Sequence, residues 1–161
     1  MTEKLKKAIK LRTENKYIKA EKIFCELIFE YPKSGEVFYH YAWLCDNMQR
    51  ELEAYPKYEK ALELGLKDID LEGCYLGLGS TYRCIGEYTK SVNLLQKAIF
   101  DFPENREFKV FKAMSLFNLN KCDEAMNILL NIIAETSNDN GIKKYKNAIK
   151  YYSDKLNKKF D

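Results

Sequence analysis

Ser80 and Cys84 stand four residues apart, on one face of any helix that runs through them, and are the nearest this chain comes to a nucleophilic pair. A nucleophile needs a base within hydrogen-bond reach. The single histidine, His40, is not placed beside either residue by the spacing of the chain. Five cysteines are present, Cys25, Cys45, Cys74, Cys84 and Cys122, with no CxxC pair and an odd total. That pattern argues against a secreted disulfide scaffold, and small buried hydrophobes are the better reading. His40 has no cysteine or histidine at ligand spacing, which argues against zinc. There is no GxSxG, no phosphate-binding glycine loop and no HExxH. The expectation is a protein without catalysis, cofactor or metal.

The elements that would position any site are helical. Of 161 residues 46% are apolar, enough for a core, and Gly and Pro number only 7 and 3. Val and Thr are sparse, which favours helix over sheet. No run of 18 apolar residues offers a spanning helix. The opening MTEKLKKAIKLRTENKY is charged throughout and has no apolar signal core, so a cytoplasmic protein without a membrane segment is expected. The net charge of +3 is small, but residues 143–161 hold seven lysines against two acids.

Small residues recur at a fixed interval. Ala8, Ala42, Gly79 and Ala113 are separated by 34, 37 and 34 residues. Three further columns keep that spacing: Ala20, Ala54, Ser91, Ala125; then Phe24, Tyr58, Leu95, Leu129; then Leu27, Ala61, Ala98, Ile132. Pro32 and Pro103 close the first and third units. The third unit reads Tyr75-x2-Leu78-Gly79-x2-Tyr82, followed by Ser91-x3-Leu95. The second reads Phe38-x2-Tyr41-Ala42-x2-Cys45 and Ala54-x3-Tyr58.

This pattern resembles the tetratricopeptide repeat, over roughly residues 1 to 136. The middle stretch is similar to a bacterial branch of that family with poorly defined function, and the richness in Lys, Asn, Ile and Tyr suits a bacterial source. The resemblance implies an all-α, right-handed superhelical solenoid of helix-turn-helix units in a single domain. Repeats fall at about 1–34, 35–68, 72–105 and 106–139, with a capping helix at about 140–158. Glycine costs a helix roughly 1 kcal/mol relative to alanine. Gly79 and its alanine counterparts are explained by the crossing of paired helices, where the smallest side chains permit the closest approach. Gly86 suits a left-handed residue just past a helix end. Lys4 occupies the large aromatic slot of the first unit. Lys109 and Lys112 fill apolar slots of the fourth, where Phe108 and Phe111 are placed to compensate by a rotated helix face.

Nine helices are expected, at about 3–14, 17–30, 35–48, 51–64, 69–84, 88–102, 105–118, 121–136 and 140–158. The three extra residues of the 37-residue step are expected near Lys67–Asp70, in a surface turn. Pro56 calls for an early-helix position or a kink. The last helix carries Ile142, Tyr145, Ala148, Ile149, Tyr152 and Leu156 as a one-sided stripe, fit to seal the array.

In the resembling family the first helix of each pair lines a concave groove. The residues there outside the packing columns are Leu5, Ile9 and Arg12; Tyr39, Trp43, Asp46 and Asn47; Leu76, Ser80 and Arg83; and Val110, Met114, Phe117 and Asn118. Gly73, Gly77 and Ser80 are expected to open room in the groove for a partner's backbone. The mixture of apolar and polar groups suits a peptide or helix of another protein. The lysine-asparagine clamp by which some family members hold a partner's C-terminal carboxylates is absent, since Leu5, Ile9, His40, Gly73 and Gly77 occupy its slots. A competing reading places nucleic acid on the basic ends, Lys4–Arg12 and Lys143–Lys159, but phosphate binding needs one continuous basic surface. Self-association through an exposed apolar groove or end is the third reading.

Overall fold

Proline and left-handed residues punctuate the chain at the repeat interval. In the computed structural model, which describes residues 1–160, helix α2 (Tyr17–Glu30) stops at Tyr31 and α6 (Tyr88–Asp101) at Phe102. Each of these residues precedes a proline, which forces it out of helical geometry, with φ −132° at both. The first helix of every pair ends differently. Past α1 (Thr2–Thr13), α3 (Gly35–Asn47), α5 (Asp68–Cys84) and α7 (Glu107–Asn118) stand Asn15, Gln49, Gly86 and Asn120, with φ of 58°, 57°, 85° and 60°. The following amides of Lys16, Arg50 and Lys121 donate back to the carbonyls of Leu11, Cys45 and Leu116 at 2.8–3.0 Å. This closes the Schellman turn and satisfies carbonyls that the helix leaves open. The left-handed position expected at Gly86 is thus a column of the repeat, filled elsewhere by Asn or Gln.

The remaining helices are α4 (Glu51–Leu64), α8 (Cys122–Thr136), α9 (Asn140–Lys144) and α10 (Lys146–Tyr152). All regular structure among the described residues is helical, as expected. Pro56 lies inside α4 near its start, where the carbonyl it leaves unbonded belongs to the exposed Leu52.

The helices group into two compact units, Met1–Gly86 and Glu87 onward, the boundary falling between the two helices of the third repeat. In the first unit each helix packs on the next from α1 to α5, and α3 also touches α1 and α5. Ala8, Ala42, Ala20 and Ala54 are wholly buried, with Phe24, Leu27, Tyr58 and Ala61 sealed beside them. Lys4, in the aromatic slot, forms ion pairs with Glu26 and Glu30 of α2 at 2.7 and 2.6 Å.

In the second unit α7 packs between α6 and α8, and α10 rests on α8. Ala113, Ser91, Leu95 and Ala98 are wholly buried. Phe108 is sealed, so the rotated face of α7 does compensate for its lysines. Two expectations need correction. The three extra residues do not make a surface turn: they lengthen α5, which has 17 residues against 12 or 13 in α1, α3 and α7. Nor is the tail one helix over 140–158. It breaks at Tyr145 and ends at Tyr152. The hydroxyl of the buried Ser153 has Asn127 Oδ1 and Lys150 O as acceptors for its one proton, at 2.7 and 2.8 Å, and accepts from Asn131 Nδ2 at 3.0 Å. A side chain so committed competes with continued helix. Of the expected stripe, Ile142 and Ile149 are half-buried, whereas Tyr145, Ala148, Tyr152 and Leu156 face solvent.

Candidate functional site

Helices α1, α3 and α5 are the first members of their pairs, and their mutual packing creates a shared face in the first unit. Trp43 is its most prominent side chain. It is 41% exposed, although Trp is usually well covered. The guanidinium of Arg12 lies over its ring, 3.7 Å from the centroid, and donates to the His40 carbonyl at 3.3 Å. Tyr39 and His40 flank the same ring, with centroids 5.9 and 6.4 Å away. Arg12 is itself buried, and burial pulls its pKa down, so the cation leans on an aromatic face and one carbonyl.

A second polar cluster lies one turn further along α3. Asp46 accepts from Tyr58 at 2.8 Å and from Thr81 at 3.0 and 3.1 Å. Burial nevertheless raises its carboxyl to about 6, against the pull of those hydrogen bonds.

The third cluster lies at the opposite end of the face. Glu36 and His40 are one helical turn apart on α3, and Asp70 belongs to the added turn of α5. One ligand atom from each lies within 4.8 Å of the others. His40 is 8% exposed, its Nδ1 has no hydrogen-bond partner, and its Nε2 is 3.9 Å from Asp70 Oδ1. Burial and the nearby Arg12 push the imidazole down to about 3. Burial raises both carboxyls, and Asp70 adds to the rise at Glu36.

Leu5, Arg12 and Tyr39 are buried between helices rather than forming an open floor, while Ile9, Asp46, Leu76, Ser80 and Arg83 are half-buried. Trp43 and Asn47 are exposed. On α7, in the second unit, Met114 and Phe117 are exposed and Val110 and Asn118 half-buried. The expected space at Gly73 and Gly77 is already filled. A Cβ at Gly73 would stand 2.1 Å from the Tyr39 hydroxyl, and one at Gly77 2.5 Å from that of Tyr58. These glycines admit the protein's own tyrosines, not a partner's backbone. Glu36 and Asp70 lie outside the set of residues expected to line the groove. The i, i+4 spacing of Glu36 and His40 was a visible signal, but Asp70 is brought in only by packing of α5 on α3.

This architecture matches a known family. A family model described as Tetratrico peptide repeat covers residues 35–156, and the chain belongs to that family. Such repeats are in general protein-interaction modules and typically non-catalytic. No curated protein matches the sequence. Among the described residues no helix is long and apolar enough to cross a membrane.

Proposed function

We propose that the protein is a non-catalytic scaffold that seats a peptide or helix of a partner protein on the face of α1, α3 and α5. The observation that carries this reading is the posture of Trp43. A large ring is held half out of the surface, fixed from one side by Arg12 and flanked by Tyr39 and His40. Tryptophan anchors of this kind dominate binding energies because a rigid ring gives up little entropy when it is covered. Half-buried Ile9 and Leu76 and exposed Asn47 supply mixed contacts of the sort an amphipathic segment meets. Five unpaired cysteines suit the reducing cytoplasm as the place of action.

The test starts from a random peptide library panned on the immobilised protein. Enriched peptides are then titrated, with a fluorescent label, against wild type and Trp43→Ala. A hot-spot residue is worth about 2 kcal/mol or more, so the affinity is expected to fall by ~30-fold. Equal binding to both proteins refutes the assignment of this face.

A further inference from the structure

We propose that Glu36, His40 and Asp70 form a binding site for a first-row divalent transition-metal ion, with zinc as the reference case. His40 carries the argument. The residue is 8% exposed, its buried Nδ1 has no partner, and its Nε2 faces Asp70 at 3.9 Å, beyond hydrogen-bonding distance. A buried polar group left unpaired is costly, and native structures seldom tolerate one without a reason. A cation between Nε2 and Asp70 joins the two groups the fold has brought face to face: it takes the Nε2 lone pair and the charge of the carboxylate at once, with the ring proton held on Nδ1.

The geometry fits such an ion. Residues i and i+4 on a helix are neighbours, so Glu36 and His40 form a natural chelating pair on α3. Asp70 supplies the third ligand from α5. Zinc bonds of 2.0–2.2 Å in tetrahedral geometry place ligand atoms roughly 3.3 Å apart. The present separations lie within 4.8 Å, so small side-chain rotations close the site. Two carboxylates and one imidazole also balance a divalent charge. Arg12 faces His40 from α1 and opposes the ion, while the negative charge of Asp70 beside Glu36 favours one. The imidazole selects against calcium and magnesium, which take oxygen ligands. Three protein ligands leave a fourth position for water on the solvent side, where Asp70 is 29% exposed.

The added turn of α5 strengthens the case. Without those three residues the first-helix spacing would return to 34, and α5 would begin beyond Asp70. The element that breaks the repeat is also the one that completes the trio.

The experiment uses the full chain, stripped with a chelator and dialysed. Zinc is titrated in by calorimetry, and cobalt and copper are followed through Trp43 emission, since its ring lies 6.4 Å from that of His40. The expected result is saturable one-to-one binding, quenching by copper, and a rise in melting temperature of about 5 °C or more at a hundredfold excess over Kd. Asp70→Asn and Glu36→Gln, with folding verified by circular dichroism, are each expected to weaken binding by at least ~100-fold. His40→Gln is expected to abolish it, and if that variant fails to fold the two carboxylate variants decide. Exposed Cys25, Cys84 and Cys122 are the competing zinc ligands. Binding that survives both carboxylate variants but is lost on replacing those cysteines with serine overturns the proposal. So does the absence of saturable binding in the wild type.

Discussion

Replacing Gly77 with alanine should destabilise the protein, although helix propensity says the reverse. Gly77 lies inside α5, where alanine is favoured by about 1 kcal/mol. The new methyl carbon would stand 2.5 Å from the hydroxyl of Tyr58, 2.6 Å from its Cζ and 2.9 Å from a ring carbon. Tyr58 is 1% exposed, so its ring can yield only by disturbing the side chains packed around it. Overpacking of this kind costs about 1–3 kcal/mol. Displacement of the ring also removes its hydrogen bond to Asp46, leaving a half-buried carboxyl with Thr81 as its remaining donor, for another ~1 kcal/mol. Set against the propensity gain, the net loss is about 2 kcal/mol. Urea unfolding followed by Trp43 emission measures it, because that residue reports on the unit that contains α5. The companion variant Tyr58→Leu removes the obstructing ring. In that background Gly77→Ala should become neutral or stabilising, so the double-mutant cycle should show a coupling of at least ~1 kcal/mol. A Gly77→Ala protein more stable than wild type, with additive effects in the cycle, would refute the view that this glycine exists to admit Tyr58.

Four other outcomes are expected. Asp46 holds its proton up to about pH 6 when folded and to about 3.8 when unfolded, so between those values the folded chain binds more protons and stability falls as pH rises, levelling off above 6. After allowance for partial exposure this is about 1–2 kcal/mol, and Asp46→Asn should abolish it, so that the difference between the two proteins' pH–stability curves displays it. His40, with a depressed value, acts in the opposite sense: its contribution is intact above about pH 6.5 and is lost as pH falls towards 3. Ala113→Leu, at a wholly buried crossing, should cost about 1–3 kcal/mol in urea unfolding, whereas Ala148→Leu on the open side of α10 should stay within ~0.5 kcal/mol. Ser153→Ala removes the hydrogen bonds that tie the tail to α8, and amide exchange over residues 146–152 should accelerate by about tenfold, with the rest of the unit unchanged.

Helix identity and the buried columns were legible because both depend on local pattern. Ala8, Ala42 and Ala113 are wholly buried where the two helices of a pair pack together, and the demand for a small residue there recurs at the repeat interval. The tail was less legible. Its stripe of Ile142 to Leu156 has helical spacing, but the chain stops at Ser153 because a hydroxyl finds partners on α8, an event no periodicity records. The candidate site was hardest to read. Arg12 and Tyr39 sit at groove positions in the register yet are buried, since their long side chains fold inward onto Trp43 and Gly73. Asp70 escaped because three added residues can extend a turn or a helix, and only the packing of α5 on α3 decides between them.

The distribution of awkward polar groups separates scaffold from site. A repeat array built for stability alone would fill the α1–α3–α5 face as it fills the helix crossings, with small or apolar residues in every unit. Instead Arg12, His40 and Asp46 lie within it, respectively a cation without a carboxylate at hand, an imidazole without a hydrogen bond, and a carboxyl raised by burial. Replacement of such groups by well-packed apolar residues is commonly neutral or stabilising. On the proposed function, their concentration on one face, beside the single exposed tryptophan, reflects what that face binds rather than what holds it together. Arg12→Met separates the two explanations. If packing is the role of Arg12, the variant loses stability; if binding is, it keeps or gains stability and loses affinity for peptides that select Trp43.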